Sequence, residues 1–176
     1  MGQRWYVVST KYNLELEAAR NLINQNIEAF CPIYQHQIKK RNKIVQLSLP
    51  LFARYIFARF DIEYDQWKKI NNTKGVYKIL ASSEDRATPV EVGYVESLIE
   101  ASRETGGLRK KEIKTNKNIQ IGMQVRANIL NYNGIVGTVV RVYKNKIVIK
   151  SALLFKSVEV YLPLDSVEPI VDLAQR

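Results

Sequence analysis

The chain has 176 residues, 46% hydrophobic and 25% charged, an ordinary globular composition that excludes full-length disorder. Its 27 basic and 17 acidic side chains give a net charge of +10, which favours a polyanionic partner. One cysteine, Cys31, excludes an internal disulfide, and one histidine, His36, is too little for a structural zinc site. No apolar run is long enough to span a membrane and no signal peptide is visible, so a cytoplasmic protein is expected.

Arg4 to Thr10 is aromatic and β-branched and predicts a strand. Asn13 is placed to cap the helix that follows. Leu14, Ala18, Ala19, Leu22, Ile23 and Ile27 fall on one face, with Glu15 and Glu17 in the positive first turn. Pro32 stops any continuation. Ile33 to Ile38 and Ile44 to Leu49 flank Lys39, Lys40, Arg41, Asn42 and Lys43, which predicts a hairpin with a basic tip. Tyr55 to Phe60 reads as a strand, Tyr64 to Asn71 as a short helix ended before Gly75, and Val76 to Leu80 as a strand. Thr88, Pro89 and Glu91 form a capping-box pattern, predicting a helix from there to about Ser102. The expected fold class is α+β: an N-terminal α/β sandwich with a mainly antiparallel sheet flanked by helices.

The charge is uneven. Residues 1–108 carry 15 basic and 12 acidic side chains, and residues 109–176 carry 12 and 5. Residues 104–119, which open near Gly106 and Gly107 and include Arg109, Lys110, Lys111, Lys114 and Lys117, read as a basic flexible linker. Beyond it, Met123 to Ile129, Ile135 to Tyr143, Lys146 to Lys150 and Ser157 to Leu162 are short β-branched runs that predict a small closed all-β barrel. Gly134 and Gly137 sit where a strand must bend. The domain boundaries expected are 1–103, 104–119 and 120–176.

Four segments in this order resemble the NusG family of transcription elongation factors. Trp5 to Val8 resembles its opening strand, and Leu49 to Phe60 its P-L-F-x-x-Y-x-F-x-x-F strand. Ile70 to Val76 resembles its N-x-T-x-G-V turn, and Ile121 to Val125 with Gly134 to Gly137 the start of a KOW motif. Cys31-Pro32-Ile33 and Pro50-Leu51-Phe52 are similar to the specialised RfaH-like branch. Leu130-Asn131-Tyr132 departs from the G-P-F that usually precedes the KOW glycines.

The resemblance implies an NGN-type polymerase-binding domain, a linker and a KOW domain, acting by binding and not as an enzyme, without a cofactor. It implies that Phe52, Tyr55 and Phe57 dock on the clamp helices of the largest RNA polymerase subunit, against the alternative that they are core. Gln66, Trp67 and Lys68 would touch the β-subunit side of the cleft, against Trp67 as a helix anchor. Lys11, Asn21, Gln25, Thr73 and Lys74 match positions that read the non-template DNA strand. Tyr12 stands where a basic residue is usual and is suited to stacking on a base, while Glu17 replaces another basic residue. Lys39, Lys40, Arg41 and Lys43 are suited to upstream DNA, and the linker and KOW basic residues to nascent RNA. The KOW domain would recruit a ribosomal protein or the termination factor Rho. The rival reading is a stand-alone KOW-type RNA-binding or ribosome-associated protein. In the RfaH-like branch the second domain can refold onto the polymerase site; here the β-branched density of Ile135 to Val148 favours a barrel, which leaves Leu153-Leu154-Phe155 free to dock on the first domain.

Overall fold

The computed structural model describes residues 2–40, 43–62, 66–83, 86–105, 118–127, 135–144, 146–151 and 158–170. Arg41, residues 106–117, Gly134 and Leu153 to Phe155 lie outside them, as do the side chains of His36, Lys39, Lys40 and Gln66.

The first half is built on a four-stranded antiparallel sheet in the order β2-β5-β1-β6. Its strands are β1 (Arg4–Thr10), β2 (Glu28–Phe30), β5 (Tyr55–Phe60) and β6 (Val76–Ile79). β1 and β5 pair from Arg4 opposite Phe60 to Ser9 opposite Tyr55. Successive side chains alternate faces, and here both faces are apolar. Tyr6, Val8, Ile56, Ala58, Phe60 and Ile79 pack with Ala18, Ala19 and Leu22 of α1 (Glu15–Ile23) and Ile70 of α2 (Gln66–Asn71). Trp5, Val7 and Phe57 pack on the other side with Val95, Leu98 and Ala101 of α3 (Tyr94–Thr105). A sheet covered on both sides explains why β1 and β5 read as nearly continuous apolar runs. The cluster on the α3 side continues into the inner face of the second sheet.

The expected hairpin forms, with β3 (Ile33–Lys40) and β4 (Lys43–Pro50) in register from Ile33 opposite Pro50 to Lys40 opposite Lys43. Two short strands, β7 (Ala81–Ser83) and β8 (Arg86–Ala87), pair separately. In the second half, β9 (Gln124–Ala127), β10 (Ile135–Val142), β11 (Lys146–Ser151), β12 (Val158–Pro163) and β13 (Val167–Pro169) form a five-stranded antiparallel sheet. Its order is β12-β11-β10-β9-β13, with a 3-10 turn (Leu164–Ser166) joining β12 to β13. One face buries Val125, Ile135, Val139, Ile147, Ile149, Val160 and Leu162.

Four expectations are corrected. The closed barrel is an open sheet, because the two edge strands β12 and β13 are not hydrogen-bonded to each other. Asn13 does not cap α1: it sits in a turn at φ 59°, where the Leu14 N–H donates to the Lys11 carbonyl, and Leu14 holds the cap position without a side-chain bond. Ile23 belongs to the exposed side of α1. The helix expected from Thr88 starts at Tyr94, because the Val90 N–H donates to the Trp5 carbonyl at 2.8 Å and holds that segment along β1.

Two glycines are fixed by geometry. Gly75 has φ +91°, and an added Cβ would lie 3.1 Å from the Ala18 Cβ. A Cβ on Gly137 would lie 2.8 Å from the Lys150 carbonyl oxygen. Gly75→Ala is expected to cost roughly 1–3 kcal/mol, from strained backbone added to a clash with α1. A thermal melt checks this, and an unchanged midpoint would contradict the close approach.

Candidate functional site

Two surfaces of the first sheet carry the candidate residues. On the α3 side, Phe52 and Phe57 meet edge-to-face, with centroids 5.8 Å apart at 88°. Phe57 also contacts the Tyr94 ring of α3, with centroids 6.1 Å apart. Phe52 and Phe57 each expose only 1% of their surface, whereas Tyr55 is half-buried. Of the three, Tyr55 is thus the one a partner reaches directly. Ser9, which shares this face of the sheet with Tyr55, is buried and donates its hydroxyl to the Lys78 carbonyl.

The turn that presents these rings is held by a carboxylate. Glu15, in the first turn of α1, is buried and accepts the Arg54 backbone N–H at 2.7 Å. Arg54 lies at φ 69°, a conformation uncommon for a side chain with a Cβ. Its carbonyl accepts from the Thr10 N–H, and the Tyr55 N–H donates to the Phe52 carbonyl. Burial, with a smaller contribution from Glu15, pushes the Cys31 thiol up to about 12. Cys31 is therefore a packing residue and not a nucleophile. Alkylation of the native protein at pH 8 is expected to be far slower than that of the unfolded chain. Equal rates would contradict this burial.

Trp67 and Lys68 lie on α2, against the opposite face of the sheet. Trp67 is half-buried against the α1-side core, and Lys68 is exposed. Trp67 therefore acts as the helix anchor and keeps part of its surface accessible.

The third group converges at the α1 end of the sheet. The Lys11 N–H donates to the Gly75 carbonyl at 2.9 Å. Asn21 donates its side-chain N–H to the Lys74 carbonyl at 3.0 Å. Gln25 donates to the Thr73 hydroxyl at 3.1 Å, and that hydroxyl donates to the Lys69 carbonyl. Lys69, which the sequence did not single out, donates its amine to the Gln25 carbonyl oxygen at 3.0 Å. Lys11, Asn21, Gln25, Thr73 and Lys74 are thereby brought together from positions some fifty residues apart. Tyr12 is 74% exposed beside them. Glu17 pairs with the Lys74 amine at 2.9 Å and holds the lysine's pKa above its ordinary value. The hairpin tip is separate: Lys43 is exposed, and Lys40 lies opposite it in register.

The fold places the aromatic residues and the polar edge on one sheet covered by helices on both faces. A family model described as "Transcription termination factor nusG" matches residues 3–99, which is 97 of the 176 residues. The chain belongs to the NusG family. Among solved structures it is similar to one titled "Domain interaction in Thermotoga maritima NusG", with 17% identity, a TM-score of 0.53, and 97% of this chain and 99% of that chain covered. That likeness speaks to the fold. A second match, titled "Crystal Structure of MjSpt4:Spt5 complex conformation A", has 14% identity and a TM-score of 0.31 over 96% of this chain and 99% of that chain, too low a score to carry an argument.

Glu17→Gln is expected to free Lys74 and tighten binding of a single-stranded oligonucleotide a few-fold at low salt, less at high salt. Fluorescence anisotropy reads this, and unchanged affinity would show that the pair does not restrain Lys74.

Proposed function

We propose that this protein is an RfaH-like elongation and antitermination factor that binds RNA polymerase across its cleft and reduces pausing. Membership of the NusG family supports a role in transcription. The observation that carries the finer reading is the placement of Tyr55 and Trp67 on opposite faces of one rigid sheet. A body that holds two sides of a cleft together needs contacts on both of its faces. Tyr55, backed by Phe52 and Phe57, meets the clamp helices of the largest subunit. Trp67, with Gln66 and Lys68, meets the β-subunit side. Lys11, Tyr12, Asn21, Gln25, Thr73 and Lys74 face the non-template strand or nascent RNA, and the hairpin tip with Lys39, Lys40, Arg41 and Lys43 faces upstream DNA.

The second sheet serves as a KOW-type module for a further partner, whether a ribosomal protein, Rho or RNA. Residues 104–119 act as the linker, and the protein works in the cytoplasm. The mechanism is binding without chemistry. Holding the clamp closed by about 1.4 kcal/mol changes the open-to-closed ratio tenfold, enough to alter pause lifetimes severalfold.

The family model's description speaks of termination, so the sign of the effect is what the experiment must read. Single-round transcription with purified bacterial polymerase is expected to show shortened pauses. Tyr55→Ala should abolish the effect with the fold intact, because its ring is half-exposed. Phe57→Ala should instead cost about 3–5 kcal/mol of stability, because its ring is buried. Lengthened pauses, or a Tyr55→Ala variant as active as the wild type, would refute the proposal. Tight RNA binding with no effect on pausing would favour a stand-alone RNA-binding protein.

A further inference from the structure

Among the described residues, three other than glycine adopt a positive φ: Asn13 at 59°, Asn26 at 61° and Arg54 at 69°. Asparagine visits this left-handed region readily, because its short polar side chain bonds locally, and arginine does not. Arg54 is held there from both sides. The buried Glu15 carboxylate accepts its N–H at 2.7 Å, and its carbonyl accepts the Thr10 N–H at 2.8 Å. Glycine at this position would adopt the same turn without strain. A strained residue that its surroundings over-determine points to a use for its side chain.

Packing does not supply that use. Arg54 is exposed, whereas Leu51 and Phe52 before it and Ile56 and Phe57 after it are buried. Among the described residues its guanidinium has no ion pair or hydrogen-bond partner. Its chain neighbour Tyr55 is half-buried on the aromatic cluster of the α3 side, and Phe30 and Tyr34 pack on that same cluster. An exposed arginine next to a half-exposed tyrosine, over a buried aromatic base, has the composition of a protein-binding hot spot. In such a site the planar guanidinium takes a carboxylate through two parallel hydrogen bonds. From Ala29 to Phe60 the chain carries no acidic residue, so the charge of this surface suits an acidic partner.

We infer that Arg54 is a specificity-determining contact: its guanidinium, held beside Tyr55 by the Glu15–Arg54 bond, pairs with a carboxylate on the polymerase surface that Tyr55 meets. The inference rests on the proposed polymerase contact and adds the chemistry of one partner group to it. It sets stability and binding against each other. Removing the side chain relieves the backbone of the turn and weakens the complex.

The test compares the full chain with its Arg54→Gly, Arg54→Lys and Tyr55→Ala variants, by thermal melt and by affinity for purified bacterial RNA polymerase. Arg54→Gly should melt no lower than the wild type, since relief of strain offsets the freedom that glycine adds to the unfolded chain. The same variant should bind polymerase about fivefold or more weakly. Arg54→Lys should retain part of the binding, because it keeps the charge and loses the planar fork. Arg54→Gly that binds as tightly as the wild type, or that melts well below it, would overturn the inference. Weakened binding of a labelled oligonucleotide by Arg54→Gly, with polymerase affinity unchanged, would overturn it in favour of a phosphate contact. Tyr55→Ala reports separately on the proposed function. Binding lost in that variant leaves the polymerase reading standing whatever Arg54 does, and binding retained in it removes that reading and this inference together.

Discussion

The structure depends on burying both faces of one four-stranded sheet. β1 and β5 supply apolar side chains on both sides, so a single helical layer leaves half of them in water. α1 and α2 cover one face, and α3 covers the other. Filling a Phe-sized side chain into such a core is worth about 1.5–3 kcal/mol in transfer alone, and Phe57, Phe60 and Phe52 each expose 1% or less. The positions of the candidate residues on and around the first sheet follow from this layering; the hairpin residues belong to a separate two-stranded sheet. Residues on alternate positions of a strand are forced to opposite sides, and loops at the strand ends are forced to the rim.

Two local contacts turn that layered body into defined surfaces. At one end, the Glu15 carboxylate holds the Arg54 N–H and fixes the turn from which Phe52 and Tyr55 extend. A buried carboxylate left without this donor carries a desolvation cost, so the turn and the start of α1 are tied together. At the same end of the sheet, beside the last residues of β1, Gly75 lets the loop after α2 come within van der Waals contact of Ala18. Asn21 and Gln25 can then reach Lys74 and Thr73. α1 thus organises both the aromatic turn and the polar edge. The polar edge combines groups suited to phosphate and base contact with an acid, Glu17, that tempers one of them.

Much of this was legible in the sequence, for physical reasons that vary by element. β1, β5, the β3–β4 hairpin and β10 to β12 announce themselves by β-branched and aromatic density bounded by turn residues. β2 does not: Glu28, Ala29 and Phe30 make a strand only because β5 offers them a partner. The start of α3 was misplaced because the Thr88, Pro89 and Glu91 signal is local, whereas the Val90–Trp5 bond that overrides it joins residues far apart in sequence. The left-handed Arg54 was invisible, since arginine gives no conformational signal of that kind and Glu15 enforces it from a distance. The polar residues of the edge were grouped by the resemblance, but the hydrogen bonds that join them were not legible. Four of the five strands of the second sheet were anticipated; β13 (Val167–Pro169) was not, and neither was the open edge between β12 and β13.

The central claim is that opposite faces of the first sheet touch opposite sides of the polymerase cleft. Site-specific photocrosslinking measures this directly, with a photoreactive aromatic residue placed at position 55 in one variant and at position 67 in another. The account predicts that position 55 captures the largest polymerase subunit at its clamp helices and that position 67 captures the β subunit. Capture of the same subunit from both positions, or of neither subunit from position 55, would contradict it.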